Sequence, residues 1–240
     1  MMRTLIRRLL RTRGIGVWAI DSTELLNFEN VLYRILSEKN HVRYLQIGGN
    51  DGVMADPMFD FVTRHSTRVS GLVVEPLPHL FQALSRNYRN FPSIRLVEIA
   101  IHDRESTMEM YFVDPSSVTR KNRHLAGIAS FNPQHWERTG LLNESQIRQQ
   151  TVPCIPLMQL IELHDLADID VFVSDTEGYD FHILKALDLQ KVRPSVIRFE
   201  HGLPNQMMSE VEFAQITKQL NEFGYQMIRE DYDATALLLD

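Results

Sequence analysis

The apolar residues of this chain fall into two alternating rhythms. Leu25, Leu26, Phe28, Val31, Leu32, Ile35 and Leu36 recur at helical spacing and predict a helix over 24–38. A short apolar run from Tyr44 to Ile47 then ends in Gly48-Gly49-Asn50-Asp51-Gly52, which reads as a buried strand entering a tight turn. Beyond it come a strand at Gly71–Glu75, a helix at Pro78–Tyr88, a strand at Ile94–Ile99 and strand alternation over Thr107–Val113. After Pro156 a helix runs to about His164, followed by a strand at Ile169–Ser174, a helix at Phe181–Leu187 and a strand at Ser195–Glu200. An amphipathic helix over Glu210–Phe223 precedes Tyr225–Arg229 and Thr235–Leu239, which read as a closing hairpin.

Strands that trade places with helices predict an α/β fold: a mostly parallel sheet with helices on both faces, because right-handed crossovers place them there. Ligands of such sheets sit at the carboxyl ends of the strands, near the point where strand order reverses. Residues 1–40 read as an N-terminal helical cap and 41–240 as one Rossmann-like domain. Asp114 to Gln150 is polar and long for a connection inside a compact domain, as expected of a substrate-contacting insertion or mobile lid.

Composition narrows the classes. A hydrophobic share of 44% and a charged share of 23% are those of an ordinary soluble protein, and a net charge of −6 disfavours a general nucleic-acid binder. Cys154 is the only cysteine, so no internal disulfide can form, and a reducing cytoplasm is the simplest compartment. The first 14 residues carry five arginines beside Leu5, Ile6, Leu9 and Leu10. That pattern allows a weak membrane-surface contact, but no long apolar run follows it to make a transmembrane span.

The strand ends carry the chemistry. Glycines in the turn after the first strand let backbone N–H groups approach a ligand. Glu75, 23 residues beyond Gly52 and followed by Pro76, stands where a carboxylate receives both hydroxyls of a nucleotide ribose. A full G-x-G-x-x-G is missing, so no helix start is prepared for a pyrophosphate; an NAD or nucleotide-sugar enzyme would need one. Asp175-Thr176-Glu177-Gly178 and Glu200-His201 follow two later strands. His201 is the imidazole at a core strand end, and Asp175 with Glu200 could orient it as a base or hold Mg²⁺, which favours oxygen ligands. His79, His164 and His182 lie on predicted helices, and His102 and His135 flank loops.

These pieces, in order, resemble the FkbM family of methyltransferases from about Tyr44 to Tyr232. The resemblance rests on YLQIGGNDG, LVVEPLPHLFQAL, VEIAIHD, the IASF segment, VPCIPLMQLIE and DVFVSDTEGYDFHILKAL. It implies a Rossmann-like class I methyltransferase fold with a seven-stranded sheet and a C-terminal antiparallel hairpin. It also implies S-adenosylmethionine as cofactor, held by Gln46, Gly48, Gly49, Asn50, Asp51, Gly52, Glu75 and Pro76. Ala100 and Ile101 would lie beside adenine, Ser130 near cofactor or substrate, and Asp175 and Glu177 at the reacting face. Gln46 stands where the family carries an acidic residue, and Thr176 where it carries an apolar one. The implied reaction is methylation of an oxygen on a small-molecule or carbohydrate acceptor, with Asp175, Glu200 and His201 as catalytic candidates. The rival readings are a cofactor-binding module without methyl transfer and an NAD or nucleotide-sugar enzyme.

Overall fold

The computed structural model describes residues 27–120, 122–140 and 142–238. The arginine-rich segment 1–14, the first residues of the predicted helix over 24–38, and Leu239 lie outside the described residues.

Helix α1 (Phe28–Lys39) begins at Asn27, whose side chain accepts the Asn30 N–H at 2.8 Å, and ends at Asn40 in the left-handed region. It buries Phe28, Val31, Leu32, Ile35 and Leu36, the stripe read from the sequence. Strands β1 (Val42–Ile47), β2 (Val69–Val74) and β8 (Val171–Ser174) are buried on both faces, which is why they read as mostly apolar runs without a strict alternation. On one face, α1, α2 (Phe59–Arg64) and α3 (Pro78–Tyr88) pack against Val42, Tyr44 and Val73. On the other, α4 (Leu157–Leu163), α5 (Asp180–Ala186) and α6 (Glu210–Glu222) pack against Leu45, Ile47 and Phe172.

With β3 (Ile94–Val97), β9 (Val196–Glu200), β10 (Tyr225–Arg229) and β11 (Asp233–Leu238), the main sheet runs β10-β11-β9-β8-β1-β2-β3. All its pairings are parallel except those of β11, which is antiparallel to both β9 and β10. This is the seven-stranded order with one antiparallel strand inserted by the final hairpin, as the FkbM resemblance implies. Strand order reverses between β1 and β8, so a crevice opens there at their carboxyl ends.

Two features depart from the sequence reading. The third strand ends at Val97, and Ala100–Ile101 forms a separate short strand, β4. This strand belongs to a second, four-stranded sheet, β4-β7-β5-β6, with β5 (Thr107–Val113), β6 (Ala129–Ser130) and β7 (Ile147–Ile155). Strand β7 begins inside the stretch read as polar insertion, because Arg148, Gln149 and Thr151 face solvent and only Val152 is fully buried. The rest of 114–146 is short 3₁₀ turns around β6. No helix among the described residues is long and apolar enough to cross a membrane.

Candidate functional site

The crevice at the β1/β8 reversal holds a cavity of about 180 Å³. Its rim begins at the glycine turn. Gly48 adopts φ +87°, and a Cβ there would sit 1.8 Å from the Asp175 carbonyl oxygen, so no other residue fits. The Gly48 and Gly49 N–H groups both donate to the Val74 carbonyl, at 3.0 and 2.9 Å, and tie the turn to β2. Asn50, also left-handed at φ +48°, donates its N–H to Glu75 Oε2 at 2.8 Å, while Leu77 N–H donates to Glu75 Oε1 at 2.9 Å. Each carboxylate oxygen therefore keeps acceptor capacity toward the cavity. Glu75 is 4% exposed, and burial pushes its pKa up to about 7 despite those two N–H donors.

Gln46, Gly48, Gly49, Asn50, Glu75, Pro76, Ala100, Ile101, Asp175 and Glu177 all line this cavity. Other expected residues stand elsewhere. Asp51 turns its carboxylate to the Val53 and Met54 N–H groups, and Gly52 packs against Leu84 and Tyr88, so both build the turn from behind. Ser130 does not reach the cavity; its hydroxyl donates to the Glu177 carbonyl at 3.0 Å. The sequence reading missed Asp56, which sits in the loop before α2, and the apolar wall of Leu80, Ile99, Met110, Phe131 and Tyr179. Phe131 and Tyr179 meet edge to face at 5.1 Å, and Tyr179 stacks on His182 at 4.7 Å. Both belong to motifs visible in the sequence, IASF and EGYD, but which of their side chains turn inward depends on the second sheet.

The acidic end is built by the loop after β8. Asp180, buried at the start of α5, accepts the Ser174 and Thr176 hydroxyls at 2.5 and 2.9 Å and the Thr176 N–H at 3.2 Å, which pins the loop; its own pKa rises to about 6 on burial. Asp175 is exposed and opens onto the cavity. Desolvation, then the Glu177, Asp180 and Asp233 charges, push its pKa well above the carboxylate range. Glu200 lies beside it: burial and then the Asp175 charge push the Glu200 carboxyl up to about 11, and its Oε2 is buried with no hydrogen-bond partner among the described residues. Two carboxyls in contact cannot both ionise, so the pair shares a proton. Glu177, at φ +54°, carries its carboxylate to His135, whose Nε2 lies 3.0 Å from Oε2.

His201 stands apart from this arrangement. It is fully buried and does not line the cavity. Its Nδ1 accepts the Leu203 N–H at 3.1 Å, its Nε2 lies 3.2 Å from the Glu230 carbonyl, and Phe213 packs on its ring. Successive side chains at a strand end point to opposite sides, so Glu200 turns to Asp175 and His201 to the closing hairpin. Burial lowers its pKa and keeps it neutral. The magnesium alternative fares no better: among the described residues no group of three or more His, Cys, Asp or Glu is placed to hold a metal ion.

The chain can be set beside known proteins. No curated protein shows significant sequence similarity to it. Similar solved structures include a precorrin-6y C5,15-methyltransferase from Geobacter metallireducens GS-15, 13% identical, covering 92% of this chain and 93% of that one, with TM-score 0.42. A human methyltransferase 10 domain containing protein is 14% identical over 99% and 95% of the two chains, with TM-score 0.45. A METTL16 MTase domain is 14% identical over 99% and 96%, with TM-score 0.46. The sequence profile described as "Methyltransferase FkbM domain" matches residues 46–227, most of the chain, and the protein therefore belongs to the FkbM methyltransferase family.

Proposed function

We propose that this S-adenosylmethionine-dependent methyltransferase methylates a hydroxyl oxygen of a neutral, hydroxyl-rich acceptor such as a sugar or a glycosylated small molecule. The observation that carries the reading is the charge of the cavity. Asp56, Glu75, Asp175 and Glu177 line it, and among the described residues no Lys, Arg or His does. Such a wall suits a cationic sulfonium donor and an acceptor rich in O–H donors, and it repels phosphorylated or carboxylated acceptors.

The residues fit the cofactor. The buried Glu75 carboxylate has acceptor capacity for the ribose hydroxyls, Gly48 admits close backbone approach, and the wall of Pro76, Leu80, Ile99, Ala100, Ile101 and Met110 offers adenine an apolar slot. The bound cofactor supplies an electrophilic methyl group. The chain's part is to align the acceptor, exclude water and take a proton. Asp175, sharing one proton with Glu200, is the base in this reading: its raised pKa makes it a stronger acceptor for a hydroxyl proton than an ordinary carboxylate. The 114–146 segment, which brings Gly127, Ala129 and Phe131 to the cavity, covers the acceptor side.

The test is incubation of the purified protein with isotopically labelled S-adenosylmethionine and a panel of free sugars, glycosides and glycosylated metabolites. The expected product carries one labelled O-methyl group. Transfer confined to amines, to carbon or to anionic acceptors would overturn the oxygen assignment.

A further inference from the structure

Among the described residues no cation pairs with the Asp56 carboxylate. Its Oδ1 accepts the Met58 and Phe59 N–H groups at 2.7 and 2.9 Å, capping the chain into α2, and its Oδ2 accepts Gln46 Nε2 at 3.2 Å. The Tyr88 hydroxyl also approaches it, and the charge that acts on it is another carboxylate, Asp51. It faces the cavity, and Ala55 just before it is held at φ +57°, a conformation that costs a non-glycine residue strain. Beside it, Gln46 is 2% exposed, lines the same cavity, and leaves its Oε1 buried with no hydrogen-bond partner among the described residues. A buried amide oxygen is costly to leave unpaired. One orphaned acceptor and one uncompensated carboxylate at the same corner both ask for the same thing, a cationic N–H donor.

We propose that Asp56, oriented by Gln46, is the counter-ion for the α-ammonium group of the cofactor's methionine end, with Gln46 Oε1 accepting a second ammonium hydrogen. This rests on the S-adenosylmethionine reading above and adds to it a residue outside the glycine turn. The arrangement moves the negative charge ten positions along the chain, from the end of β1, where Gln46 is neutral, to the loop that precedes α2. The amide then serves two partners: its N–H holds Asp56 Oδ2, and its oxygen is free for the ligand. A glutamate at position 46 could not donate to Asp56, and the two charges would repel.

The experiment compares two probes by calorimetry on the full chain: S-adenosylhomocysteine, which carries the α-ammonium, and 5′-methylthioadenosine, which lacks the amino-acid end. In D56N, which keeps an oxygen for the Met58 and Phe59 N–H groups, S-adenosylhomocysteine should bind roughly ten- to hundredfold more weakly, as for loss of a charged hydrogen bond. Affinity for 5′-methylthioadenosine should stay within about twofold. The exchanged pair Q46E/D56N should recover most of the loss, because it returns the charge to the same corner with the amide donor reversed. Equal loss for both probes, or no loss for either, overturns the assignment, as does an exchanged pair no better than D56N with unfolding midpoints matched. Failure of the unaltered protein to bind either probe would remove the cofactor reading itself and this inference with it, a result distinct from the selective outcomes.

Discussion

Binding of S-adenosylhomocysteine should expel a proton from Glu75 near neutral pH. In the ligand-free protein, burial holds this carboxyl at about 7 against an ordinary 4.5. That gap corresponds to about 3 kcal/mol of penalty on the ionised form. The sign follows from linkage. A carboxyl whose folded pKa is raised favours the fold below its unfolded value and forfeits that advantage as pH climbs through the folded value, so the empty protein loses stability between about pH 4.5 and 7. Ribose hydroxyls that donate to the carboxylate favour the ionised form and pull the pKa back down. At pH 7 the free site is about half protonated and the occupied site ionised, so binding should release about half a proton from this group.

Calorimetry at pH 7 in buffers of different ionisation enthalpy measures that release. Affinity should also tighten from pH 5 to 8 by up to roughly a hundredfold, the full value if the occupied site returns to the ordinary carboxylate pKa. Asp175 and Glu200 also hold a shared proton, so E75Q supplies the control: it should bind more weakly and lose the Glu75 share of the release. A proton count near zero at pH 7, or one that E75Q leaves unchanged, would refute a role for Glu75 at the ribose.

D175N should lower methyl transfer by roughly 10²- to 10⁴-fold, as for loss of a general base, while S-adenosylhomocysteine binds within a few-fold of normal; unimpaired turnover would remove Asp175 from the chemistry. H201A should leave transfer per folded molecule intact and cost about 2–4 kcal/mol in denaturant unfolding, because it strands the Leu203 N–H and the Glu230 carbonyl and opens a void beside Phe213. A large loss of turnover without loss of stability would restore the histidine to catalysis. Trypsin should cut the 114–146 segment at the exposed Arg120 and Arg123, more slowly with S-adenosylhomocysteine present, and E177A should weaken that protection by removing the His135 contact; cleavage indifferent to ligand would count against a cover.

The centre of the main sheet was legible because β1, β2 and β8 are buried on both faces and therefore written mostly in apolar residues, with glycine and acidic positions marking their carboxyl ends. Strand β7 was not, because it lies on a sheet half exposed to water, and Ile147-Arg148-Gln149-Gln150-Thr151 carries no strong alternation. Helix α2, of only six residues, is too short for a period to show. At the site, the pairing of the glycine turn with Glu75 could be read from spacing, since both partners follow adjacent parallel strands. His201 could not be excluded from sequence, because the position of a residue at a strand end does not tell which way its side chain turns. Asp56 carried even less signal: Ala55-Asp56-Pro57 reads as a loop, and only the fold of that loop back toward Gln46 makes its carboxylate a wall of the cavity.

The sign of that wall bears on turnover as well as on binding. On the proposed reading the donor arrives with a sulfonium charge and an ammonium, and it leaves as a thioether that keeps only the ammonium. Carboxylates at the Asp175 and Glu177 end, where the sulfur would lie, attract the first and not the second. Asp56, at the Gln46 end, would hold both equally, since the ammonium is unchanged by the reaction. Interactions of the second kind fix position without favouring release, whereas those of the first kind weaken as the methyl leaves. On that reading the two ends of one acidic cavity would divide the work: one would anchor the cofactor throughout the cycle, and the other would loosen its grip once the charge has gone.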